Sequence, residues 1–134
     1  MALPCSTSFE ELSAAARLVW HDKSVADKIA LDATKTSVQI CEQKRLFFNG
    51  KSSKFIVGGL FYLLGFRYGA TKKQKEIAEQ LGTNVITVRD SYRQLLQEFP
   101  DMFEDVINKF AKDSNLRFFV FVDLKQNVHK SKSA

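Results

Sequence analysis

A chain of 134 residues with 45% hydrophobic side chains has apolar surface for one core of ordinary size and reads as one domain. Charged residues at 26%, with Gly 6 and Pro 2, exclude a disordered, collagen-like or low-complexity chain. The formal charge of +5 and the pI near 9.3 are compatible with an anionic partner without saying which.

The first element is a helix of about Phe9 to Trp20. Ser8 with Glu11 forms a capping box, and Phe9, Leu12, Ala16 and Val19 recur at helical spacing. After a break at His21 to Lys23, Ser24 caps a second helix. Its inward stripe is Val25, Ile29, Ala33 and Ile40, and Thr36 and Ser37 weaken its middle. Asn49-Gly50 ends this section with a turn. The third helix, about Ser53 to Tyr68, is apolar on nearly all sides and is expected at the centre of the fold. Gly58 and Gly59 each weaken it by about 1 kcal/mol relative to Ala, which implies that another backbone packs closely there. Its apolar run, Phe55 to Phe66, falls short of the roughly 20 residues a membrane-spanning helix takes.

Thr71 with Gln74 forms a second capping box, opening a short fourth helix that carries Ile77, Ala78 and Leu81. Gly82 stops it as a left-handed cap. Asn84 then caps a fifth helix with Val85, Val88, Tyr92, Leu95 and Phe99 along its buried face. Asp101 with Glu104 opens a sixth helix, in which Phe103, Val106, Ile107 and Phe110 point inward. Phe118 to Val122 is rich in strand formers and reads as an edge strand or an extended arm, and residues 126–134 read as a disordered tail. The expected class is all-α: helices within residues 9–113, an extension at 1–8, and an extended segment and tail at 114–134.

The fourth and fifth helices, with the glycine bend between them, have the layout of a helix-turn-helix over Thr71 to Leu96. Short helical hairpins are common, so the outward face of the fifth helix matters more. With Val85, Val88 and Tyr92 inward, Ile86, Arg89, Asp90 and Arg93 fall on the other side. Near the start of a helix lying in the major groove, Ile86 would touch a thymine methyl and Arg89 would donate to guanine O6 and N7. The alternative is that Ile86 packs on a loop and Arg89 pairs with a carboxylate. Lys72, Lys73 and Lys75 at the start of the fourth helix suit phosphate contact, together with its free N–H groups. From Lys44 to Lys75 the charged residues are Lys44, Arg45, Lys51, Lys54, Arg67, Lys72, Lys73 and Lys75, with no Asp or Glu, which is either a solvated basic surface or one that faces phosphates.

Signals for catalysis are missing from the sequence. Cys5 and Cys41 are too few and too far apart for a structural zinc site and are expected to be reduced. His21 and His129 lie far apart, and no nucleophile elbow, phosphate loop or metal-ligand spacing occurs. Glu10-Glu11 and Glu76 with Glu79 read as ordinary charges on solvent faces. The N-terminus lacks the pattern of a secretory signal. The expectation is a non-enzyme without cofactor, metal, membrane or small-molecule substrate.

The stretch from Thr71 through Lys-Gln-Lys-Glu-Ile and Gly82 to Ser91-Tyr92-Arg93, continuing to Phe99-Pro100-Asp101-Met102-Phe103, closely resembles the second cyclin repeat of the transcription factor IIB family. Gly50-Lys51 followed by Phe55 to Tyr62 is similar to that family's central helix. The resemblance takes in about residues 9 to 103, is specific in the helix-turn-helix and is weak before residue 45. It implies a cyclin-like five-helix repeat, here followed by a C-terminal helix. Its helix-turn-helix would read the B-recognition element in promoter DNA upstream of the TATA box, beside TATA-binding protein and the RNA polymerase complex. The base-reading positions correspond to Ile86 and Arg89, and the phosphate contacts to Lys72, Lys75 and Arg93, with Lys73 and Thr87 placed beside them. The implied location is the nucleus, or the cytoplasm in an archaeal cell. The sequence departs from the family in having room for one repeat without a zinc ribbon, which makes it an excised fragment or a divergent member. Ser53 stands where proline is usual and Gly58-Gly59 where alanines are usual, and the residues after Phe103 have no clear counterpart. Cyclin-like repeats also hold proteins without touching DNA, so a protein-interaction module remains the alternative.

Overall fold

The computed structural model describes residues 9–112, with side-chain surroundings up to Lys109. Among the described residues there are helices and no strand: α1 (Phe9–Val19), α2 (Lys23–Gln43), α3 (Ser53–Arg67), α4 (Gln74–Leu81), α5 (Val85–Glu98) and α6 (Glu104–Lys112). The capping role of Ser8, the inward role of Phe110, the strand or arm at 118–122 and the tail at 126–134 lie outside the described residues or side chains. No helix is long and apolar enough to cross a membrane.

α1 and α2 form an antiparallel hairpin, and its joint differs from the expected one. Asp22, not Ser24, caps α2: its Oδ1 accepts the N–H groups of Ser24 and Val25. The chain has two residues after Trp20 in which to reverse, and a cap at 22 starts the helix early enough to bury Ala26, Ile29, Ala30 and Ala33 together. Val25, expected inward, is only half-buried. Thr36 and Ser37 do not interrupt α2. Both are buried, with Ser37 Oγ donating to the Ala33 carbonyl and Thr36 Oγ1 to Asp32, so their hydroxyls are paired inside the helix's own surface. Ser13 and Arg17 both bond Asp27 and fix the hairpin's register. The Asp27 carboxyl is held below its ordinary range, chiefly by the Ser13 hydrogen bond.

α3 is enclosed, with its buried run extending from Ile56 to Gly65. It packs most extensively on α5, and also meets α2, α4 and α6. The close approach implied by Gly58-Gly59 is to α5: a Cβ at Gly59 would overlap Ser91 Oγ and lie 2.8 Å from the Tyr92 nitrogen, and one at Gly58 would lie 3.2 Å from Val88 Cγ2. The core is aromatic. Trp20 meets Phe61 edge-on at 5.4 Å, Tyr62 lies 4.7 Å from Tyr92, and Phe47 closes on Phe99 at 4.9 Å.

α6 is tied to the bundle through Arg67, at the last turn of α3. Its guanidinium bonds Asp32 of α2, Asp105 of α6 and the Met102 carbonyl, and lies over the Phe103 ring. Lys109 donates to the carbonyls of Phe66 and Arg67, two of the acceptors a helix end leaves open.

Candidate nucleic-acid interface

α4, the bend and α5 form a helical hairpin whose inner side is fully used. Ile77 and Ala78 of α4 and Val88, Tyr92, Leu95 and Leu96 of α5 are buried, and α4 is braced by α1, α3 and α5. Gly82 has φ 70 and ψ 38, the left-handed conformation a residue with Cβ avoids, and its N–H bonds the Glu79 carbonyl. Asn84 caps α5, its Oδ1 accepting from both the N–H and the hydroxyl of Thr87. A cap of this kind contributes about 1 kcal/mol. Thr87, expected at phosphates, is therefore also committed to holding the first turn of α5.

The start of α4 is not where the sequence placed it. Thr71 is no cap. The N-cap is Lys73, with no side-chain hydrogen bond, and the helix begins at Gln74. The cause lies upstream: Gly69 turns the chain with positive φ, the Ala70 N–H bonds the Gly65 carbonyl, and Trp20 Nε1 donates to the Ala70 carbonyl at 2.7 Å. Residues 70–71 therefore lie across Gly65, where a Cβ would meet the Ala70 carbonyl at 3.2 Å, and helix cannot begin there. The outcome leaves the first N–H groups of α4 without a side-chain acceptor, flanked by Lys72, Lys73 and Lys75. Lys72 and Lys75 each reach a carboxylate one turn on, Glu76 and Glu79, at 4.0 Å. Exposed pairs of this spacing are worth only about 0.3–0.5 kcal/mol, so they hold these lysines weakly.

On α5, Ile86 is 58% exposed, and the Arg89 side chain is 43% exposed. Arg89 pairs with a carboxylate, as the alternative reading had it: its Nε lies 3.7 Å from Asp90 Oδ1 in an ion pair, without a hydrogen-bond partner among the described residues. Ile86 stands open, whereas Arg89 is half-buried and its Nε is sealed from solvent. Arg93 is half-buried on the same side. Val85 corrects the expectation: it is 39% exposed and not part of the buried face, because it occupies the first position of α5, one turn before the buried Val88 and two before the buried Tyr92.

The basic run from Lys44 to Lys75 is not one surface. Arg67 is bound by two carboxylates, Lys44 pairs with Glu98, and Lys51 lies over Phe47 and donates to its carbonyl. Lys54 is the member that sequence spacing did not single out. It stands on the first turn of α3, and its Nζ lies 3.3 Å from the Gly82 carbonyl, beside the bend. What remains at the hairpin is Lys54 beside the bend, Lys72, Lys73 and Lys75 at the start of α4, and Ile86 and Arg89 on α5.

The sequence is similar to a transcription initiation factor IIB. That protein, from Aeropyrum pernix, is 31% identical over 71 residues, covering 53% of this chain and 21% of the archaeal protein. The chain thus matches about a fifth of the length of that relative. No family model matches the chain, and no solved structure does. The likeness is distant and partial, and the fold beside it is all-helical.

Proposed function

We propose that the chain is a non-catalytic DNA-binding module of a transcription initiation factor of the IIB kind, with a cyclin-like arrangement of helices. It lays α5 in the major groove of promoter DNA, with Arg89 and Ile86 against base edges and Lys72, Lys73, Lys75, Thr87 and Arg93 along the phosphates. Its target is the element upstream of TATA, its partners are TATA-binding protein and the RNA polymerase complex, and it works in a nucleus or in archaeal cytoplasm. The observation that carries this function is the open face of α5: an exposed branched aliphatic and a half-exposed guanidinium share one side of a helix whose other side is buried and whose bend is fixed by Gly82. The partial likeness to a IIB factor supports it.

The test is a gel-shift titration of the full chain on duplexes with and without the upstream element, in the presence and absence of TATA-binding protein. Affinity is expected to fall with salt, with a logarithmic slope of about −3 to −4 if four phosphates are neutralised. Arg89→Ala is expected to cost about 1–3 kcal/mol on the preferred site and less on random DNA. Equal losses on both would reduce Arg89 to a phosphate contact. A protein-interaction module is the second function, favoured by Leu46, which stands 72% exposed between α2 and α3. Absence of DNA affinity at low salt in all these mixtures would select it.

A further inference from the structure

We infer that Trp20, although sealed in the core, is the positioning residue for Lys72 and Lys73. The inference rests on the DNA-binding function proposed above and deepens it, naming the contact that aims two of its phosphate-binding lysines.

Trp20 follows α1 and is 3% exposed, with its ring edge-on to Phe61. A ring buried so far carries one polar atom, the indole nitrogen, and its N–H needs an acceptor. The acceptor is the Ala70 carbonyl, fifty positions away and 2.7 Å distant. The bond therefore joins the core to the strap that leads from α3 into α4.

That strap has few other ties. Gly69 takes a left-handed φ of 66 and the Ala70 N–H bonds the Gly65 carbonyl, which closes α3. Beyond Ala70, Thr71 and Lys72 make no backbone–backbone hydrogen bond among the described residues, and the next fixed point is the Lys73 carbonyl, which accepts from Ile77. The peptide group between Ala70 and Thr71 thus sets the direction in which the chain leaves toward both lysines. Trp20 grips that group on one side. Gly65 backs it on another, where a Cβ would lie 3.2 Å from the Ala70 carbonyl and 3.5 Å from Thr71 Cα. Lys75 differs from the two strap lysines, because it stands on α4 itself, which Ile77 and Ala78 anchor in the core. A strap ordered in advance spares the entropy that phosphate contact would otherwise cost.

The chain has one tryptophan, so replacing it throughout with benzothienylalanine, in which sulfur stands for the indole N–H, removes this hydrogen bond and keeps the shape of the ring. Affinity of the full chain for a mixed-sequence duplex at low salt is expected to fall about fivefold, the effect of one hydrogen bond. With Lys72→Ala and Lys73→Ala together, the same replacement should cost nothing further. With Lys75→Ala it should keep its whole effect. Circular dichroism checks that each protein stays helical. Gly65→Ala, which presses on the same carbonyl without altering the indole, repeats the comparison, and its loss should likewise vanish when the two strap lysines are gone. Unchanged affinity of the analogue protein, or the same loss in both lysine backgrounds, overturns the positioning role and leaves DNA binding standing. If the unaltered chain binds no duplex, the DNA-binding function falls and this inference falls with it.

Discussion

At Gly59 the packing of α3 on α5 depends on the lack of one methyl group. A Cβ there would overlap Ser91 Oγ and press on the Tyr92 nitrogen, and because the second contact is backbone, rotating Ser91 away is not enough. Gly59→Ala is expected to destabilise the chain by about 1–3 kcal/mol, the range for overfilling a packed core, seen as a lower midpoint in urea or thermal unfolding. Gly58→Ala meets only a side-chain methyl of Val88, at 3.2 Å, and should cost less. An unchanged midpoint for Gly59→Ala would mean that the two helices are not so closely seated. Ser91 adds a second local tension, since its buried hydroxyl has no hydrogen-bond partner among the described residues.

At the scale of helices, the tether between α3 and α6 makes a prediction with a definite sign. Burial would raise the Asp105 carboxyl, but the hydrogen bonds and charge of Arg67 outweigh it and hold the group below its ordinary range. Arg67 shows the complementary effect: burial works against its charge, and Asp105 and Asp32 raise its pKa nonetheless. A carboxyl lowered in the folded state stabilises at pH above its unfolded value, and that contribution disappears as pH falls through the folded value. Acidification from about pH 5 to about pH 3 should therefore destabilise the wild-type chain more than Asp105→Asn, as followed by urea unfolding at each pH. Because Asp105 is half exposed, the difference should be modest, and parallel losses in the two proteins would remove Asp105 from the acid response.

Much of the helix pattern was legible in the sequence because periodicity and stop signals act locally. The limits of α3, the left-handed Gly82 and the Asn84 cap follow from residues within a turn of each site. The errors arose where distant residues decide. Thr71 has the chemistry of a cap, but the contact of Ala70 with Trp20, fifty positions earlier, keeps its segment extended. Ser24 and Asp22 are both capping types, and the tight reversal after α1 selected the aspartate. Val85 fits the apolar spacing of α5, yet burial depends on what lies opposite, and periodicity does not record where a helix outruns its neighbours.

For the molecule as a whole, net charge is a poor guide to where an anion would bind. A sequence stretch devoid of acidic residues supplies the Arg67 tether inside the bundle, Lys54 beside the bend and the lysines at the start of α4, and only the fold separates these uses. The candidate interface takes its cations from α3, the segment before α4, α4 and α5, so it exists only when those elements are assembled. The relative position of these cations is consequently set by the core that holds α3 and α5 together.

Trp20 gives that assembly an optical gauge. It is the single tryptophan of the chain, nearly sealed from water, and its indole N–H is fastened to the Ala70 carbonyl just ahead of the α4 lysines. Emission from this residue should stay at short wavelength while the segment entering α4 is closed, and move to longer wavelength if that segment lifts. A DNA titration followed in this way would distinguish rigid docking of the hairpin from docking that loosens its root, without a label attached to the protein.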